Sequence, residues 1–170
     1  MKKTFLTLTL MLMSAIALNA QSLTDHRWGT KLADGDGNDV VVSLTFDKNG
    51  TCELFVGAEQ EIKEDGVPVD IMGGVYVPGT YTLNGKDLTL NFDRNKAEVD
   101  FDYDIKGMDA KTKALMDEHI KSELNGLKGE FKKTMLDGMP KMHNTQIVSL
   151  TKNKLVIKDD KGDEIPFVKY

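Results

Sequence analysis

The feature that most constrains this chain is an alternation of apolar and polar residues with period two, interrupted at short intervals by turn residues. Val40, Val42, Leu44 and Phe46 fall on one face of an extended segment and Val41, Ser43 and Thr45 on the other, the pattern of a half-buried strand. "DKNG" (47–50) then reverses the chain into "TCELFV", where Cys52, Leu54 and Val56 share a face. Asn49-Gly50 suits such a hairpin because both residues tolerate positive φ. A second hairpin reads from "GTYTL" through Asn84-Gly85-Lys86-Asp87 into "LTLNF". A third runs from "TQIVSL" through "TKNK" into "LVIKD", and "DDKG" turns again into "DEIPFVKY". Between the first two lies the Gly-rich segment 57–79, within which Asp65-Gly66 can join an exposed hairpin from "EQEIK" to "VPVDIM". Connections this short make neighbouring strands antiparallel.

One segment breaks the period. From Asp109 to Asp137, Met116, Ile120, Leu124, Leu127, Phe131 and Met135 recur at spacings of three and four, which at about 100° per residue confines them to one stripe of an amphipathic helix. Asp109 is placed to cap its start, and Gly138 with Pro140 to end it. Gly126 and Gly129 weaken the helix interior, but the stripe keeps its phase across them. The expectation is one long helix, inserted at about 109–137 and packed on the protein's own strands.

The N-terminus has the organisation of a secretory signal peptide: basic Lys2 and Lys3, an apolar run from Phe5 to Leu18, and Ala20 before Gln21. The run is shorter than the roughly 20 residues of a membrane span, so a cleaved, exported product, periplasmic or secreted, is expected with no membrane span. Residues 21–170 then form one domain with 20 basic against 27 acidic residues. That balance repels phosphate backbones, which argues against nucleic acid as a partner. Cys52 is the single cysteine, so the core alone must hold the fold without an internal disulfide.

About eight or nine antiparallel strands with one late helix suggest a mainly β fold, an up-and-down β-barrel of about eight strands. The order "RWGTKL", "VSLTFDKNGTCELFV", "GTYTLNGKDLTLNF" and "IVSLTKNKLVIKDDKG" resembles the lipocalin-like, calycin-type barrel proteins exported by Bacteroidetes-type bacteria. That resemblance implies a barrel with Trp28 plugging one end, able to hold a small apolar molecule in the cell envelope. Trp28, Leu54, Tyr81, Leu83, Phe101 and Tyr103 are the candidate ligand-binding residues, the two tyrosines because their hydroxyls can orient a ligand's polar end. The alternative is a protein-interaction module that uses the amphipathic helix or the 57–79 hairpin and holds no small molecule.

Catalytic and metal-binding constellations are not evident, and neither an enzyme nor a cofactor is expected. His26, His119 and His143 are far apart and lie in no zinc-ligand spacing. Cys52 falls mid-strand on the apolar side, where a thiol is inert. "EVDFDYDI" sets Glu98, Asp100, Asp102 and Asp104 on one face, yet successive same-face residues lie roughly 6.5–7 Å apart, too far for four to share one ion. In "ADGDGNDVVV", Asp34, Asp36 and Asn38 match the first ligands of a calcium loop, but Asp39 and Thr45 stand where Gly and Glu are needed. An ordinary turn is expected there, and no metal.

Overall fold

The computed structural model describes residues 23, 24, 26–33, 39–64, 66–107, 109–139 and 142–170. The signal-peptide segment and the Asp34–Asn38 loop lie outside the described residues. Among the described residues nine strands are formed: β1 (Arg27–Ala33), β2 (Asp39–Phe46), β3 (Thr51–Glu64), β4 (Val67–Asn84), β5 (Asp87–Phe92), β6 (Glu98–Ile105), β7 (Asn144–Leu150), β8 (Lys154–Lys158) and β9 (Glu164–Lys169). A long helix, α1 (Ala110–Gly138), separates β6 from β7.

Local chemistry accounts for most of these boundaries. Gly50, Gly66, Gly85 and Gly162 all adopt positive φ, the left-handed conformation that a tight reversal requires and only glycine reaches without strain. Asp109 caps α1, its Oδ1 accepting from the backbone N–H groups of Lys111 and Thr112 at 3.0 and 3.1 Å. The helix runs without a break through Gly126 and Gly129.

All strand pairs are antiparallel, in the order β3-β2-β1-β9-β8-β7-β5-β4-β6, with β3 also paired to β4. The expected up-and-down β-barrel of about eight strands is corrected by this arrangement to a nine-stranded antiparallel sheet. The sequential order fails after β5, which pairs directly with β7, while β6 lies against the first half of β4. The cause is strand length. β4 has eighteen residues and serves three partners, β5 over Gly79–Asn84, β6 over Val69–Tyr76 and β3 over Val67–Thr80. β3 pairs with β2 only as far as Ala58 and runs on for six further residues. A three-stranded wing, β3-β4-β6, therefore extends past the end of β2.

Apolar residues on one face of β3 and β4 supply both cores. Cys52, Leu54, Val56, Val75 and Val77 join Trp28, Val42, Leu44, Phe46, Leu88, Leu90, Leu155, Ile157 and Phe167 in the main core. Further along the same face, Val69 meets Ile105, Ile120 and Leu124 in a second core between the wing and α1. Each fully buried aliphatic or aromatic side chain contributes about 1.5–3 kcal/mol by leaving water. The indole N–H of Trp28 donates to the carbonyl of the buried Leu23 at 2.9 Å, which satisfies the one polar atom that the tryptophan brings inside.

Candidate functional site

The two cores divide the helix stripe. Met116, Ile120 and Leu124 pack into the second core, whereas Phe131 and Met135 pack against the main one. Leu127 falls between these anchor points and remains 52% exposed, against 8% for Leu124 one turn earlier. A groove of about 380 Å³ opens there between α1 and the wing, lined by Ile62, Ile71, Phe101, Leu124, Leu127 and Phe131 among others. Its floor depends on Gly73, where a β-carbon would come within 2.8 Å of Phe101 and 2.7 Å of Phe131. The absence of a side chain lets those two rings meet at 4.9 Å between centroids above β4.

Polar groups fix the helix over the wing and rim the groove. The Tyr103 hydroxyl donates to Asp117 Oδ1, and Lys121 Nζ donates to Asp117 Oδ2 at 2.6 Å. The Lys121 bond, followed by that from Tyr103, holds the Asp117 carboxyl below its usual range. Burial first, and then the bond to Asp117, pushes the Tyr103 phenol up. Lys132 reaches the carbonyl of Ala97 just ahead of β6. Glu123 and Glu130 flank Leu127 on the helix and also line the groove, as do Ala58 and Gln60 of β3. The helix thus anchors to β6 and β4 and leaves β3 less covered.

The six ligand-binding candidates do not converge. Trp28 and Leu54 are fully buried in the main core, against which Tyr81 and Leu83 pack while partly exposed. Tyr81 stacks edge-on with Phe46 at 5.1 Å and donates from its hydroxyl to the Asp47 carbonyl at 2.9 Å. Phe101 and Tyr103 belong to the second core, and of the six only Phe101 lines the groove. Among the described residues there is no group of His, Cys, Asp or Glu able to hold a metal ion, and no helix long and apolar enough to cross a membrane. Cys52 is buried, and that burial, reinforced by Asp47, pushes its thiol up to about 12.

Neither alternation nor helical phase groups Leu127, Glu123, Glu130 and Gln60, because a stripe in phase with buried positions reads as buried. Glu123 and Glu130, which border the stripe on the side of Leu127, are the available signal. Compared with known protein families and with curated proteins, the chain matches none. The resemblance to lipocalin-like barrel proteins is therefore corrected on two counts, for it has no support from related sequences and the strand order departs from that of an up-and-down barrel.

Proposed function

We propose that this protein is a protein-interaction module whose contact surface is the amphipathic helix α1 together with the wing formed from the 57–79 hairpin. The observation that carries this reading is the open apolar groove around half-exposed Leu127, set beside a main core in which Trp28, Leu44, Leu54 and Phe167 are fully buried. The expectation of a lipocalin-like carrier of a small apolar molecule is withdrawn with the barrel on which it rested. An exposed leucine in an apolar groove with a polar rim is how partner surfaces on soluble domains are commonly built. The leader-like residues 1–20 would place the encounter outside the cytoplasm, in the periplasm or beyond.

A photo-crosslinking amino acid at position 127, introduced in the native host, tests this. A crosslink to another polypeptide is expected from position 127 and not from position 153 in the exposed β7–β8 turn. Equal labelling from both positions, or none from 127, would refute the proposal.

A further inference from the structure

Where α1 ends, the chain reads Gly138-Met139-Pro140-Lys141-Met142-His143. Met139, Met142 and His143 line one open cavity of about 250 Å³, together with Leu90, Phe92 and Arg94 among others. The two methionines are 7% and 3% exposed and belong to the main core, whereas His143 is exposed. Two contacts hold this histidine on β5. The backbone N–H of Leu90 donates to the His143 carbonyl at 2.9 Å, one step beyond the Thr89 and Asn144 pair of the β5–β7 ladder. Nδ1 of the ring lies 2.9 Å from the Leu90 carbonyl oxygen. A carbonyl only accepts, so Nδ1 carries the proton and Nε2 of the neutral ring keeps its lone pair. Metal-bound histidines are held in the same way, with one ring nitrogen donating to a carbonyl and the other presented to the ion.

We propose that Met139, Met142 and His143 form a binding site for copper(I), with two thioether sulfurs and the His143 Nε2 as ligands. Thioethers are soft donors that select copper(I), imidazole suits copper along with zinc, iron and nickel, and copper is the metal the two ligand types share. Zinc takes thiolate, imidazole or carboxylate, and calcium and magnesium take oxygen. Neither a thiolate nor a carboxylate lines this cavity among the described residues. Charge points the same way. Arg94 brings a fixed positive charge to the wall, and because Coulomb repulsion scales with the ion's charge, it opposes a divalent ion about twice as strongly as copper(I). Packing in the core already orders both methionines, so little of their rotamer freedom is left to lose on binding. This site shares no residue with the groove at Leu127 and stands independently of the interaction reading.

The test uses protein purified after expression of the full chain, titrated without oxygen against copper(I) held by the chromogenic chelator bathocuproine disulfonate. The protein should withdraw one equivalent of copper(I) from the chelator. Met139→Leu and Met142→Leu conserve apolar volume while removing a sulfur, and each should weaken binding by about tenfold or more. Met116→Leu, in the second core, should leave it unchanged. Arg94→Gln should tighten it. Copper(I) is diamagnetic, so NMR of the parent protein reads the site without any substitution: the methyl signals of Met139 and Met142 and the ring signals of His143 should shift on loading, and that of Met116 should not. No withdrawal of copper(I), or full affinity in both methionine variants, would overturn the proposal. So would loss of binding in Cys52→Val, which would place the ion on the buried thiol, or displacement of the bound copper(I) by equimolar zinc.

Discussion

Leu124 and Leu127 sit three residues apart on one helix and should respond oppositely to the same change. Leu124 is 8% exposed and packs with Val69, Ile105 and Ile120. Leu124→Asp forfeits about 1.5–3 kcal/mol of apolar transfer energy and places an unpaired carboxylate against apolar groups, adding about 1–3 kcal/mol. Water in the adjoining groove softens the second contribution, so a total loss of about 3–4 kcal/mol is expected. At a slope of about 2 kcal/mol per M of urea, the unfolding midpoint followed by helical circular dichroism should fall by about 2 M. Hydrogen exchange should show the loss first in 110–125, since Phe131 and Met135 still hold the C-terminal half on the main core. Leu127→Asp, at a position 52% exposed, should stay within about 0.5 kcal/mol of the parent. Equal losses at the two positions, or a Leu124→Asp protein as stable as the parent, would refute the division of the stripe between two cores and a groove.

Other expectations follow from single contacts. Because burial raises the Cys52 thiol from 9.0 to about 12, its contribution to stability is complete below pH 9 and is lost as pH rises toward 12; Cys52→Val should flatten the alkaline limb of a stability profile, and the native thiol should resist alkylation at pH 8.5 until the protein unfolds. Gly73→Val would force Phe101 and Phe131 apart and should destabilise the wing by about 1–3 kcal/mol, read as a lower midpoint with altered ring-proton shifts. Asp109→Ala removes the acceptor for the Lys111 and Thr112 amides, so faster exchange in the first turn of α1 is expected, with Asp109→Asn retaining most of the protection.

Strands and helix were legible because their signals are local. Alternation around Val42 and Leu54, the glycines at positive φ, and the three-four spacing from Met116 to Met135 each describe a neighbourhood of a few residues, which is the range over which backbone geometry acts. Even the exposed hairpin about Gly66 was visible, although its strands prove continuous with those on either side, as β3 and β4. Alternation tells a residue which face it occupies and leaves open which strand lies beside it. Tyr81 and Tyr103 carry the same pattern, yet one packs on the main core and the other on the second.

By itself, the sequence determined where the chain extends, where it turns and where it coils, since hydrogen bonding and steric limits act between near neighbours. Pairing across the sheet was decided in three dimensions, where eighteen residues of β4 had to satisfy backbone groups on both sides and drew β6 away from β5 and β7. The exposure of Leu127 was decided there as well. Its phase on the helix matches that of buried residues, but the neighbours that would cover it belong to two separate cores, and the groove opens in the space between them.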